Sequence, residues 1–245
     1  MITENNGLIY EDNNCVVAYN LWERNGNIGF QFYNKTDENI QLDLEKSFFI
    51  INGTAKQYYQ DRTFTYSSTI SKAASKGVTG ASALSGINYF GLLKTNTLAA
   101  TSNVSAMTSS GDAVSYSEKK IMTIPPKASV IISEFAINDA LVRDCKLFKY
   151  PKAKQINSVS FNETESPIQF TNRITYSLES TAEPVVFANN FYVAEVTNFP
   201  SKEIFDYKYD EFCGQKSSER IPFMKPEAPD KFYIQYTKGM DSWKH

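Results

Sequence analysis

At 245 residues the chain can bury one sizeable core, and its 42 % hydrophobic and 14 % aromatic content argues against global disorder. Its net charge is −2, with 25 Lys and Arg scattered among 27 Asp and Glu, so no basic stripe stands ready to neutralise nucleic-acid phosphates. No apolar run approaches the roughly 20 residues that cross a bilayer as a helix.

The N-terminus, MITENNGLIYEDNN, lacks the charged and apolar regions of a signal peptide. Two histories fit: a cytoplasmic protein, or an envelope or secreted one whose signal was trimmed and replaced by a start Met. Strand signals follow. In NCVVAYNLWE, Val17, Tyr19 and Leu21 alternate with Ala18, Asn20 and Trp22. In NIGFQFYN, Ile28, Phe30 and Phe32 share one face, and Gly29, Gln31 and Tyr33 the other. The intervening ERNGN carries Asn25–Gly26, a pair that accepts positive φ and signals a hairpin.

NKTDEN then turns the chain, Ile40, Leu42 and Leu44 alternate with polar residues, and SFFII reads as a strand covered on both faces. Asn52–Gly53 turns it again. Alternating strands with turns every eight to twelve residues are the pattern of a β-sandwich, and residues 8–66 show little helical periodicity. Residues 67–115 differ, being mostly Ser, Thr, Ala and Gly. A loop of that length inside a domain is mobile, separately packed or functional. Val78, Ala81, Leu84, Ile87 and Phe90 recur every third residue and hint at one short helix, which four interspersed glycines oppose.

Strands return in EKKIMTIPPKASVIISEFAIND, where Pro125–Pro126 marks a kink or an edge because proline donates no N–H. Residues 138–155 have room for a helical turn before Pro151. VSF, IQFTNRITYSL, EPVVFANNFYVAEVT and DKFYIQYTK read as further strands. The segment 200–230, with four prolines, reads as an extended arm laid over other structure. Within it FDYKYDEF alternates like a half-buried edge strand. The expected plan is a single all-β domain over 1–245, an elaborated sandwich with 67–115 inserted and C-terminal strands and arm over 156–245.

NKTDENIQLDLEKSFFIINGTA, with IPPKASVIISEF later, resembles Ig-like β-sandwich domains of bacterial envelope proteins. There a similar turn follows a strand ending in aromatics, and a proline introduces a late strand. NRITYSLES and YDEFCGQKS are similar to parts of uncharacterised bacterial proteins without assigned activity, some of them like lipoproteins with a removable leader. The resemblance implies a fold and an envelope setting. It supplies no catalytic residue.

The one histidine, His245, is the last residue, which disfavours Ser–His–Asp and Cys–His catalysis and histidine-containing metal sites. No G-x-x-x-x-G-K-[ST] or G-x-G-x-x-G spacing occurs, so no cofactor is expected. Cys15, Cys145 and Cys213 have no C-x-x-C spacing and read as buried small side chains, with one disulfide plus one free thiol as the alternative. The oxygen-rich EDNN and NKTDEN lack the calcium-loop pattern, and turn chemistry accounts for them. Carboxylate catalysis stays open through Asp43, Glu45, Asp61, Glu134, Asp139, Asp206, Asp210 and Glu211.

Two aromatic clusters offer an interaction surface: Tyr58, Tyr59, Phe64 and Tyr66, and Phe205, Tyr207 and Tyr209 with Phe212 beyond. Leu84, Ile87, Tyr89, Phe90, Leu92 and Leu93 offer a membrane or oligomer contact. The leading expectation is a non-catalytic protein for binding, adhesion or assembly at a bacterial envelope, with a protein or glycan partner and no nucleic acid. One alternative acts through 67–115, by membrane contact or self-association, or through a removed lipid anchor. A second is a carboxylate-dependent polysaccharide hydrolase.

Overall fold

The computed structural model describes residues 2–4, 7–67, 113–138 and 145–236. Their regular structure is almost entirely antiparallel strand, with one 3-10 turn and one four-residue helix besides. β1 (Ile2–Glu4), β2 (Gly7–Glu11), β3 (Cys15–Tyr19) and β4 (Phe30–Asn34) follow one another as neighbours in a first sheet. The chain then crosses to a second sheet with β5 (Ile40–Asp43), β6 (Phe48–Ile51) and β7 (Thr54–Gln57). β8 (Thr63–Ser67) and β9 (Ala113–Ser117) pair with each other, so the ends of the long Ser/Thr-rich stretch are strand. The expected helix over residues 78–90 lies outside the described residues.

β10 (Ile121–Ile124) joins the second sheet beside β5, and β11 (Ser129–Ile132) returns to the first beside β4. Pro125–Pro126 is thus where the chain changes sheets. β12 (Ser158–Ser160) pairs with β15 (Glu195–Thr197). Between them β13 (Gln169–Leu178) and β14 (Pro184–Tyr192) form a long regular hairpin. The other flank of β13 is shared: β6 takes its first half and β5 its second. The detour between β5 and β6 is sealed by Ser47, whose Oγ donates to the Asp43 carbonyl (2.6 Å) and accepts the Thr175 N–H (3.0 Å).

The sheets face each other across one core. Val17, Tyr19, Phe30 and Phe32 of the first meet Ile40, Leu42, Phe49, Ile174 and Tyr176 of the second, all buried. Phe32 packs edge-on against Tyr176, with ring centroids 5.6 Å apart. Each such side chain contributes about 1.5–3 kcal/mol by leaving water. The period-two pattern is therefore a core-facing pattern, and the all-β expectation holds.

Asn34 ties both crossings between the sheets. It is fully buried at the end of β4. Its Oδ1 accepts the Thr36 N–H (2.8 Å) and hydroxyl (2.7 Å), which shapes the NKTDEN turn. Its Nδ2 donates to the carbonyls of Glu38 (2.8 Å), Ile124 (3.0 Å) and Pro125 (3.1 Å), which holds the proline crossing against the first one.

Three local expectations need correction. β3 and β4 pair from Cys15/Asn34 only as far as Tyr19/Phe30, so Asn25–Gly26 turns a wider loop rather than a tight hairpin. That loop spends its backbone elsewhere: Leu21 N–H donates to the Pro229 carbonyl (2.8 Å) and Asn25 N–H to that of Tyr233 (2.7 Å). Gly26, at φ +74°, has room for no side chain, because a Cβ would sit 2.8 Å from Ile137 Cδ1. For the same reason DKFYIQYTK, described as far as Tyr236, is no ladder strand over those residues; it runs along the loop with one isolated bridge, Tyr233 to Arg24.

The stretch before Pro151, expected to hold a helical turn, lies partly outside the described residues (139–144); after the proline a 3-10 turn forms at Ala153–Gln155, where the Gln155 side chain accepts the Lys152 N–H (2.9 Å). Lastly, residues 200–230 are not one extended arm over the body: Pro229 at their end meets the Leu21 loop, but residues 201–224 do not. They form α1 (Ser201–Ile204) and a hairpin of β16 (Phe205–Phe212) and β17 (Gln215–Met224). FDYKYDEF is exposed at every position, because no second layer covers either face.

Candidate functional site

Among the described residues the β16–β17 ribbon is the most unusual surface, exposed along the whole of β16. Its turn is Cys213 (φ 51°) and Gly214 (φ 76°), both left-handed, as a two-residue hairpin of matching twist requires. Ile204 C=O accepts the Lys225 N–H (2.8 Å) and closes the base. The register places Phe205, Tyr207 and Tyr209 opposite Met224, Pro222 and Arg220 on one face. Asp206 and Lys208 oppose Phe223 and Ile221 on the other, and a bulge between Tyr209 and Glu211 re-aims the tip.

Cations partly shield these rings. The Arg220 guanidinium lies 5.3 Å over the Tyr209 ring with its Nε donating to the hydroxyl (3.2 Å), and Lys208 Nζ lies 5.2 Å over Phe223. Tyr207 nevertheless keeps 60 % of its surface in water, and Phe212 keeps 83 %. A lone two-stranded hairpin is marginally stable in water, so an exposed one rich in Tyr, Phe and Arg has the composition of a contact element. Cys213, expected to be buried, is exposed at the tip, as is Cys145 elsewhere; only Cys15 is buried.

The first aromatic cluster divides differently. Tyr58 is not available to a partner: it is buried, and its hydroxyl donates to Asn172 Oδ1 (2.9 Å). Asn172 Nδ2 in turn donates to the Tyr19 hydroxyl (3.0 Å), as does Asn189 Nδ2 (2.8 Å). Burial pushes both tyrosine hydroxyls up, so this chain of groups stays neutral inside the core. Tyr59 is half-buried, its hydroxyl donating to Asp61 (2.6 Å). Phe64 and Tyr66 lie on β8. Leu84, Ile87, Tyr89, Phe90, Leu92 and Leu93 lie outside the described residues.

No protein-family model matches the chain, no curated protein matches its sequence, and no solved structure matches its fold. The reading of function rests on geometry.

Glu134 shares one cation, Arg62, with Glu118, while Asp43 and Glu45 each have a lysine of their own. Asp43 pairs with Lys46 (2.9 Å), Glu45 with Lys120 (2.8 Å), and Glu134 with Arg62 (2.6 Å). Asp206, Asp210 and Glu211 stand exposed on the ribbon, and Asp139 lies outside the described residues. Arg62 also binds Glu118, whose Oε2 accepts the N–H groups of Gln60 (2.9 Å) and Arg62 (3.1 Å). This clamp holds the base of the β8–β9 pair. No group of three acidic, histidine or cysteine side chains is gathered for a metal, and no helix is long and apolar enough to cross a membrane, among the described residues.

Sequence reasoning passed over Asp12 as a lone turn residue. Its Oδ1 accepts the N–H groups of Asn14 and Cys15 (both 2.7 Å), and its Oδ2 accepts the hydroxyls of Tyr176 (2.8 Å) and Tyr10 (3.3 Å). Burial works to raise its pKa, but these donors outweigh it and hold the carboxyl below its ordinary value. Tyr10, by burial first and then the Asp12 charge, is raised to about 12. A carboxyl held down in the folded state stabilises above its unfolded pKa of about 4 and loses that contribution as pH falls through its folded value. Urea unfolding of Asp12→Asn against wild type is expected to give its largest deficit near neutrality, shrinking below about pH 4. A deficit that stays constant with pH contradicts the assignment.

Proposed function

We propose that the chain is a non-catalytic binding and assembly protein whose contact element is the β16–β17 ribbon. The observation that carries this reading is a ribbon exposed on both faces that presents Phe205, Tyr207, Tyr209 and Phe212 to solvent. Covering such rings releases roughly 1.5–3 kcal/mol each, and the bulge and positive-φ turn give them a defined direction. The ion pairing of the candidate carboxylates of the body, Asp43 and Glu45 with lysines and Glu134 with Arg62, favours this reading over hydrolysis of a polysaccharide. An Ig-like relationship, and with it a bacterial-envelope setting and a protein or glycan partner, enters the proposal from the sequence resemblance.

A photo-cross-linking residue at Tyr207 or Phe212 is expected to give a discrete adduct in extracts of the native envelope, with none from Glu163 on the body. Tyr209→Ser with Arg220→Ser is expected to weaken that adduct while leaving thermal unfolding unchanged. Equal labelling from ribbon and body, or turnover of a polysaccharide by the pure protein, overturns the reading.

A further inference from the structure

We propose that the free edge of β14 pairs, antiparallel and across a two-fold axis, with β14 of a second copy of this chain. This edge is a different surface from the ribbon. β14 is an outer strand of the second sheet, nine residues long and paired to β13 without a register shift.

The hydrogen-bond parity shows which groups face outward. Gln169 N–H donates to Asn52 Oδ1 and its C=O accepts the Asn52 N–H, while Thr175 N–H donates to Ser47 Oγ. These β13 residues therefore point away from β14. Their partners Tyr192 and Val186 must point away from β13. By alternation the N–H and C=O of Val186, Ala188, Asn190 and Tyr192 form an open row. No hydrogen bond engages it from any described residue. Pro184 falls in the same outward set, so the proline removes no N–H from the β13 ladder.

Other edges of the two sheets are blunted in the ways proteins use against self-pairing. β7 has four residues and includes Lys56, and β1 has three and includes Glu4. β10 and β11 have four each and flank the Pro125–Pro126 break. The sequence of β14, PVVFANNFY, carries no charge at all. That neutrality is what an isologous contact needs, since a charge near the axis meets its own copy.

The side chains select a register. The two large apolar side chains exposed on β14 are Val186, at 47 %, and Tyr192, at 43 %. With the two-fold axis beside Asn189, Val186 lies opposite Tyr192 of the second copy, and Ala188 opposite Asn190 of the second copy. Each such pair exchanges both backbone hydrogen bonds, and both exposed apolar side chains gain an aromatic–β-branched neighbour.

The test is sedimentation equilibrium on the full chain. Wild type is expected to be dimeric at tens of micromolar. Ala188→Pro, which removes only an outward N–H, is expected to be monomeric with unchanged circular dichroism. Val186→Lys/Tyr192→Glu, which sets opposite charges across the axis twice, is expected to dimerise at least roughly tenfold more tightly at low salt than Val186→Lys/Tyr192→Lys. Positions 186 and 192 are too far apart along one strand to interact within a chain, so only the proposed register separates these variants. A monomeric wild type, an unaffected Ala188→Pro dimer, or equal affinities of the two double variants overturns the proposal. Replacing residues 206–223 by a short Gly-Ser turn is expected to leave the dimer intact while abolishing the ribbon's cross-links, which separates the two readings.

Discussion

Asn34→Ala is expected to cost about 3–4 kcal/mol, because several buried backbone groups lose their partner together. For a chain of this size that is a fall in Tm on the order of 10 °C. The side chain holds Thr36 through its oxygen and the carbonyls of Glu38, Ile124 and Pro125 through its nitrogen. Water can reach the Glu38 carbonyl more readily than that of Ile124, whose bond to Asn34 is buried. Asn34→Asp keeps the bonds to Thr36 but turns an acceptor toward carbonyls, so its loss is expected to be nearly as large. Thr36→Val, which removes only the hydroxyl, is expected to cost about 1 kcal/mol. Urea unfolding of the three variants gives the ordering. An Asn34→Ala protein within about 1 kcal/mol of wild type would show that the two crossings do not depend on this side chain.

Much of this frame was legible residue by residue. Asn52–Gly53 turns the chain because both residues accept positive φ, and φ values of 45° and 81° are found there. Pro125–Pro126 breaks a ladder because proline has no N–H, and the chain changes sheets at that point. Local chemistry of this kind is written in neighbouring residues. What Asn34 does is not, because its partners at 124 and 125 come from a strand 90 residues later.

The ribbon was misread for a related reason. Alternation in FDYKYDEF reports that two faces differ in polarity, and an edge strand over a core produces the same string. Whether a layer lies beneath is a tertiary fact. Tyr58 shows the reverse: GTAKQYYQ looks like a solvent-facing hairpin arm, yet its first tyrosine is buried because Asn172, 114 residues away, supplies an acceptor. The openness of β14 was equally hidden. PVVFANNFY reads as a strand without showing its place in a sheet, and only the strand order makes it an edge.

Asn172→Leu is expected to cost about 2–3 kcal/mol, although leucine has nearly the same size and is better suited to an apolar core. It leaves the Tyr58 hydroxyl buried without its acceptor and withdraws one donor from Tyr19. Tyr58→Phe alone is expected to cost about 1–2 kcal/mol, since it strips Asn172 Oδ1 of its donor. Combined, the two changes replace both ends of one buried hydrogen bond by apolar groups. The double variant is therefore expected to lose about 1–2 kcal/mol less than the sum of the singles. Additivity within about 0.5 kcal/mol would mean that the bond is not coupled in the folded state. The consequence reaches the sheet edge. Asn172 on β13 and Asn189 on β14 both donate to Tyr19 of the facing sheet, so the network fixes which residues of the β13–β14 hairpin point inward. A slip of β14 by one residue would bury Val186 and Ala188 and expose Phe187 and Asn189. The polar chain at the centre of the core thereby determines which backbone groups of β14 meet solvent.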